Sequence, residues 1–421
     1  MGQTFLSNKP RVFYGYWIVT ATFFFNFINS GCGSFTFSIF VKPLQADLSW
    51  SRGEIMTAFT IYSLFTGLTL PLVGKLVDRY GARKVIFVGA LIGGLGFLSL
   101  SLMNSFLQFY ASYAIIGIGM SAIGYVPASA IVSNWFQKRR GLALGIMSMG
   151  IGVGGLTLAP FIGAYLIPNL GWRATYLFLG VIAWAIVIPL ALLVIREKPA
   201  DLGLIPYNTN ATEAFTTNKA TCLISKELTL KMALATPAFW LITISYTLSA
   251  FSLTGAIQSQ VPFLQDIGIP AAMAAIILGV IGLMSAISKF GFGWLCDRIP
   301  ADYACSIGLG FQLIGIALLL NIETASPSAI IWLSAISLGL GAGSWLPTMS
   351  ILTSTNFGLA SYGAIFGTAA LVQSIGVATG PLMAGYLYDA INTYHRPFMI
   401  FLILYAISIP SVLAVRHAKT T

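Results

Sequence analysis

The sequence predicts an all-α membrane protein of twelve transmembrane helices in two six-helix bundles, and three observations lead to this fold class. Only 8% of the 421 residues are charged, 57% are hydrophobic, and the mean hydropathy is +0.86. Apolar stretches separated by turn signals occur along the whole chain, and basic residues collect on alternate connections. A soluble fold is excluded, because soluble domains carry about 25% charged residues.

Each apolar stretch is long enough to cross a bilayer, which takes about 20 residues. Helices are expected because lipid cannot satisfy free backbone groups, and the runs lack the alternation of β-barrel strands. The predicted spans are 12–40, 52–73, 85–104, 107–134, 141–167, 173–195, 237–264, 271–296, 303–322, 328–353, 361–388 and 396–416.

The only long polar connection divides the spans into two groups of six. We therefore predict an N-terminal bundle at 1–195, a cytoplasmic linker at 196–236 and a C-terminal bundle at 237–421. The end of the linker, 225–232, has the pattern of a short amphipathic helix that lies on a membrane surface.

The distribution of Lys and Arg predicts the orientation. Of the 22 basic residues, Lys42, Arg52, Arg173 and Arg396 lie on one side and Lys289 lies within a helix, which leaves 17 for the side that holds both termini. Since cytoplasmic segments carry the excess of Lys and Arg, both termini are predicted in the cytoplasm. The predicted location of the protein is a prokaryotic plasma (inner) membrane.

A charged motif recurs at the same place in both halves. Its copies are Gly74, Asp78 and Arg79, followed by Arg83, and, 219 residues further on, Gly293, Asp297 and Arg298. Repeated halves are typical of secondary transporters. The glycine allows a neighbouring helix to approach closely, and the Asp can pair with an Arg or with a helix N-terminus. An ordinary charged loop would explain the charges, but it would not explain the recurrent spacing.

The first copy resembles the helix 2–3 signature of the major facilitator superfamily, and the twelve spans extend the resemblance over nearly the whole chain. This resemblance implies two bundles that rock about a central cavity and give alternating access. It also implies a cytoplasmic gate that contains Gly74, Asp78, Arg79, Arg83, Asp297 and Arg298.

A second motif narrows the resemblance. Residues 135–145, with Gly150 and Gly154 beyond them, are similar to the helix 4–5 signature of monocarboxylate transporters. Bacterial oxalate/formate antiporters share much of this pattern. The resemblance implies an organic-anion transporter, but it does not specify the substrate.

Lys289 is the most informative single residue. It precedes Asp297 by eight positions, roughly 12 Å along a helix, so it lies deep in the hydrocarbon, where a charge costs about 2.5–3.5 kcal/mol. The predicted spans hold no deep acidic partner. A substrate carboxylate would supply the missing negative charge, and we hypothesise that Lys289 is also the proton-coupling site. The alternative is a Lys bonded to carbonyls and water near a helix break.

The resemblance bears on this residue too. Oxalate and monocarboxylate transporters carry an Arg in helix 8, which Lys289 matches. Animal monocarboxylate transporters place an Asp four residues earlier, where this chain has Ser285, so the family's proton-carrying carboxylate is absent. Oxalate antiporters have a second cation in helix 11, and no Lys or Arg occurs at 361–388 here. One cation suits one carboxylate better than two.

Helices 1, 4, 7 and 10 usually line the cavity in this superfamily, and they add further candidates. With Lys289 and Ser285, the candidate substrate contacts are Asn29, Tyr125 and Trp345. The weaker candidates are Asn26, Ser121, Ser129, Ser245, Tyr246, Ser249, Ser344 and Thr348. For each of them the alternative is helix–helix packing or hydrogen bonding.

The resulting functional prediction is a proton-coupled symporter of a small monocarboxylate, such as lactate, pyruvate or acetate, functional as a monomer in the bilayer. We predict no cofactor, metal, nucleic-acid partner or enzymatic activity, because no nucleotide-binding motif or zinc spacing is present. Organic-anion exchange stays open, multidrug efflux is disfavoured by the single deep cation, and a non-transporting sensor is disfavoured by the short segment after helix 12.

Overall fold

The computed structural model describes residues 13–136, 140–202, 229–322, 328–358 and 362–415. Two short helices, Pro199–Leu202 and Leu230–Leu234, accompany the long ones between the two halves. The long helices are α1 Gly15–Leu48, α2 Arg52–Tyr80, α3 Ala82–Ser101, α4 Phe106–Trp135, α5 140–170, α6 172–194, α7 Pro237–Asp266, α8 Ala271–Cys296, α9 Ala301–Leu320, α10 Ser328–Phe357, α11 Tyr362–Ile391 and α12 His395–Ala414.

The boundary between α5 and α6 is a break in a continuous helical segment. By length and hydropathy, eleven helices in the described ranges could cross a membrane, and one of them is the 54-residue segment Gly141–Val194. A helix of that length would measure about 81 Å, far more than a bilayer core of about 30 Å. Gly171 divides it with non-helical angles of φ 76° and ψ 168°, so the segment makes two spans.

Several helices extend beyond the predicted spans. Helix α1 continues from the predicted end at 40 to Leu48, and α2 continues from 73 to Tyr80. The additional turns contain charged residues such as Lys42 and Asp78, which can follow the helix into the polar interface. The apolar pattern marks the hydrocarbon layer, and the helix ends lie outside it. Of the predicted linker helix at 225–232, residues 225–228 lie outside the described residues, and the remainder overlaps the short helix Leu230–Leu234.

The helices pack as an N-terminal bundle, α1–α6, and a C-terminal bundle, α7–α12. Small residues allow the close approach within each bundle, as membrane interfaces require. A Cβ atom at Gly150 or Gly154 on α5 would collide with the carbonyl oxygens of Phe23 or Phe27 on α1. The glycines that follow the second sequence motif therefore hold α1 and α5 together.

The two bundles meet along α2 with α11 and along α5 with α8. Gly152 on α5 lies against the backbone of Gly282 on α8, and Gly67 on α2 lies against Ser374 on α11. We call the face where the described chain begins and ends the terminal face, and the opposite one the distal face. The cavity described below lies between the bundles.

Substitution of Gly150 tests the α1–α5 packing. Gly150→Ala should lower the stability of the protein by about 1–3 kcal/mol, because overpacking forces the backbones apart. Thermal unfolding of the detergent-purified protein measures this effect. Gly310→Ala is the matched control, since a Cβ atom there meets no atom within 4 Å. Equal unfolding temperatures for the two variants would contradict the packing account.

Candidate functional site

A cavity of about 410 Å³ lies between the two bundles. Helices α1, α2 and α5 line it from the N-terminal bundle, and α7, α8, α10 and α11 line it from the C-terminal bundle. Lys289, Ser285 and Trp345, three of the five predicted substrate contacts, lie on its wall. A ligand held there would therefore touch both halves of the molecule.

Lys289 is the charged residue of this wall. It lies on α8, is partly buried, and its Nζ atom donates to the backbone carbonyl of Ser148 on α5, 3.2 Å away. Among the described residues, no Asp or Glu lines the cavity. A carbonyl dipole solvates an ammonium group but does not neutralise it. The cavity therefore presents an uncompensated positive charge to a ligand.

Trp345 and Ser285 lie near Lys289 in different settings. The indole Nε1 of Trp345 is buried and has no hydrogen-bond partner among the described residues. A buried N–H group that lacks a hydrogen-bond partner costs about 1–3 kcal/mol of free energy relative to a bonded one. Trp345 can therefore donate to a ligand, whereas Ser285 is 6% exposed and lies in the packed α8–α10 contact.

Asn29 and Tyr125 are not among the residues that line the cavity. The side-chain amide of Asn29 donates to the carbonyl of Met120, beside a break in α4 at Gly124. Tyr125 begins the second segment of α4 directly after this break. In this conformation Asn29 supports the packing of α1 on α4, and a substrate role for either residue stays a prediction.

Among the cavity residues that the sequence analysis did not single out, two have a buried polar atom without a partner among the described residues. Gln258 on α7 donates through Nε2 to the carbonyl of Ser34 on α1, 2.9 Å away, and its Oε1 has no described partner. The hydroxyl of Ser63 on α2 is likewise buried and unpaired. An isolated Gln or Ser in an apolar helix is a weak signal, since such residues commonly bond helices to each other.

Arg52 closes the cavity at the distal face. It is 2% exposed, and its guanidinium forms a bidentate pair with Asp266 at the end of α7, at 2.6 and 2.8 Å. Its Nε atom donates to Gln45 on α1 at 3.0 Å, and its Cζ atom lies 3.7 Å from the ring centroid of Tyr388. Bidentate Arg–carboxylate pairs are among the strongest polar contacts in proteins.

A second carboxylate strengthens this closure. Asp389 on α11 accepts from the backbone N–H groups of Arg52 and Gly53, at 3.0 and 2.6 Å. These N–H groups begin α2, where a negative charge is stabilised. Lys42 on α1 also pairs with Asp266. Arg52, Lys42, Asp266 and Asp389, which we call the distal latch, join the two bundles by charge.

The predicted gate residues at the terminal face make no such link in this structure. Asp78, Arg79, Asp297 and Arg298 are exposed, and no described residue forms an ion pair with them. The guanidinium of Arg83 donates to the carbonyl of Leu192 within its own bundle. A Cβ atom at Gly74 or Gly293 would meet nothing within 4 Å, so the close approach predicted there is not made.

These contacts define the conformation. Every hydrogen bond between described residues of the two bundles is made by Lys289 or by residues closer to the distal face. The described hydrogen bonds therefore join the two bundles at Lys289 and on the distal side of the cavity, and none lies between Lys289 and the terminal face. An arrangement of this kind can hold a ligand and, if the latch opens, release it on the other side.

The sequence of this chain matches a known protein family and is similar to characterised transporters. A family model described as Major Facilitator Superfamily matches residues 22–381. Human monocarboxylate transporter 12 is 24% identical over 409 residues, which cover 91% of this chain and 77% of that protein. The oxalate:formate antiporter of Oxalobacter formigenes is 24% identical over 364 residues, which cover 85% of this chain and 81% of that protein.

Solved structures share the fold. A bacterial homologue of the human lysosomal transporter Spinster, inward-facing and unoccupied, has a TM-score of 0.68 at 20% identity, and the match covers 98% of this chain and 96% of that one. The nucleoside transporter NupG has a TM-score of 0.74 at 11% identity, over 97% of this chain and 100% of that one.

Neutralising the distal latch should open the distal face. In Asp266→Asn the pairs with Arg52 and Lys42 lose their negative partner, so a cysteine at Thr60, 8% exposed between α2 and α11, should react severalfold faster with a membrane-impermeant maleimide. The measurement uses a background without the four native cysteines.

Asp47→Asn is the control for this experiment. Asp47 pairs with Arg173 at 2.9 Å inside the N-terminal bundle, so its loss removes a charge near the same face without releasing the two bundles. Equal labelling rates for both variants would show that the latch does not hold the distal face closed.

Proposed function

Since this chain belongs to the major facilitator superfamily, we propose that it is a secondary transporter of a small organic monocarboxylate. The family and the solved transporter structures make it a transport protein rather than an enzyme. Two relatives are a monocarboxylate transporter and an oxalate:formate antiporter, and this supports a small anion as the substrate.

One observation carries the proposal. Lys289 lines the cavity between the bundles with a carbonyl as its hydrogen-bond partner, and the described wall contains no carboxylate. A buried charge is stable only when it is paired or well solvated. A substrate carboxylate bound at Nζ would form a charge-assisted hydrogen bond, and the indole of Trp345 offers a second donor.

Proton coupling is the finer part of the proposal. In this scheme the empty, desolvated Lys289 releases its proton and is neutral. Binding of an anion together with one proton then gives an ammonium–carboxylate pair that is neutral overall, and a neutral site costs less free energy to move between the two access states than a charged one. Since Ser285 occupies the position of the family's Asp, Lys289 is our candidate for the proton site as well. Lactate, pyruvate and acetate are the proposed type of substrate.

Alternating access supplies the transport step. The distribution of Lys and Arg favours the terminal face as cytoplasmic. Since the charged contacts between the bundles lie on the opposite face, we infer that the present conformation is the inward-open one. In the outward-open state the distal latch separates, and Gly74, Asp78, Arg79, Arg83, Asp297 and Arg298 would close the cytoplasmic side. We propose that a single chain, with bundles at 1–195 and 237–421, performs this cycle in a prokaryotic inner membrane.

Organic-anion exchange is the second candidate. It is favoured by the oxalate:formate antiporter among the relatives and by the lack of a carboxylate on the described cavity wall. Exchange needs no proton site, because one anion replaces another at Lys289. Uptake that requires a preloaded internal anion and ignores the pH gradient would favour exchange over symport.

Lys289→Gln tests the anion site. Removing the charge should lower monocarboxylate uptake into proteoliposomes at least tenfold, since a charged hydrogen bond of this kind contributes about 1.5–3 kcal/mol. Lys231→Gln is the control, because Lys231 is exposed on the short helix Leu230–Leu234. If Lys289→Gln transported as well as Lys231→Gln, Lys289 would not be the anion site.

Lys289→Arg tests the proton site. A guanidinium keeps its positive charge at all accessible pH values, whereas an ammonium can release a proton when it is desolvated. The Arg variant should still bind the anion, but its uptake should depend far less on pH than that of the wild type. A pH profile of initial uptake between about pH 5 and pH 8 measures this, and an unchanged profile would exclude Lys289 as the proton site.

A further inference from the structure

The residues that line the cavity span several turns along the helix axes, and buried unpaired polar atoms occur at two depths among them. Lys289 lies about 27 Å from the distal end of α8, and Gln258 lies about 12 Å from the distal end of α7, at 1.5 Å per residue. Trp345 lies about 26 Å from the distal end of α10, at the depth of Lys289. Roughly 15 Å of axial distance therefore separates Gln258 from Lys289.

The wall between these ends is mainly apolar, and the hydroxyls of Thr66 and Thr254 on it donate to backbone carbonyls. Leu253 and Ile257 on α7, with Val377 on α11, line the stretch between Gln258 and the depth of Lys289. A two- or three-carbon acid bound at Lys289 fills only the end of the cavity that is nearer to the terminal face. The volume of about 410 Å³ leaves room for a longer ligand.

The distal end of the cavity is built for hydrogen bonding without charge. Gln258 is 2% exposed and Ser63 is 5% exposed, and Gln258 Oε1 and Ser63 Oγ are buried without a partner among the described residues. The bond from Gln258 Nε2 to Ser34 identifies Oε1 as the free atom, and this atom can only accept a hydrogen bond. The serine hydroxyl can donate or accept.

We propose that Gln258 and Ser63 form a second, uncharged subsite that binds the far hydroxyl or N–H group of an elongated monocarboxylate whose carboxylate is at Lys289. This rests on the proposed function and extends its substrate class to longer acids with a distal hydrogen-bond donor. A purely apolar chain leaves Gln258 Oε1 unpaired. A distal hydroxyl donates to Oε1 and accepts from Ser63, so both bundles contact the ligand.

The test compares hexanoate with its ω-hydroxy derivative in calorimetric binding to the purified full-length transporter. The wild type should bind the hydroxy acid about tenfold more tightly, because a site built for a hydroxyl discriminates against the analogue that lacks it. In Gln258→Leu the ratio of the affinity for the hydroxy acid to that for hexanoate should fall to about one. The affinity for hexanoate itself should change less than about twofold. A wild-type ratio near one, or an unchanged ratio in Gln258→Leu, would overturn the subsite.

Smaller substitutions keep the test decisive if Gln258→Leu does not fold. Ser63→Ala should lower the ratio about threefold, as expected for loss of one neutral hydrogen bond. Ser38→Ala should leave it unchanged, because Ser38 is also buried and unpaired but does not line the cavity. Equal effects of the two serine variants would contradict the proposal.

Failure of the subsite is distinguishable from failure of the proposed function. If neither acid binds the wild type, the monocarboxylate assignment itself is wrong. If both acids bind with equal affinity and Lys289→Gln weakens both, the anion site stands and only the distal subsite is wrong.

Discussion

The structure depends on one positive charge placed in a layer that cannot solvate it. Lys289 lies deep within α8 and bonds to a single carbonyl, and the described cavity wall offers it no carboxylate. A charge in the hydrocarbon costs free energy unless water, a partner or a ligand compensates it. Lys289 lies on the wall of the cavity between the bundles, and we propose that a substrate anion bound there supplies this compensation.

The same cavity separates two kinds of contact between the bundles. On the distal side Arg52 pairs with Asp266, and Asp389 on α11 accepts hydrogen bonds from the start of α2. These charged contacts hold the two bundles together. On the terminal side no described ion pair links the exposed Asp78 or Asp297 to the other bundle. Alternating access requires these two sets of contacts to form in turn, and their free energies to differ little. A ligand that binds both bundles can shift that balance.

Much of the fold could be predicted from the sequence, because lipid leaves few alternatives for a chain of long apolar stretches. The break at Gly171 and the depth of Lys289 follow the predicted pattern of spans. The distal latch could not be predicted, since Arg52 and Asp389 lie 337 residues apart in sequence. Nor could Gln258, because its importance depends on Ser34 across the bundle interface. Asn29 shows the opposite case, in which a polar residue on a favoured helix packs against α4 instead of lining the cavity.

The central claim is tested most directly by uptake of a panel of radiolabelled monocarboxylates into proteoliposomes, with and without an imposed pH gradient. Our account predicts that at least one monocarboxylate accumulates above equilibrium when the outside is acidic, and that a protonophore abolishes the accumulation. If no carboxylate entered under any gradient, while a neutral or cationic compound was transported, the role of Lys289 as an anion site would be contradicted.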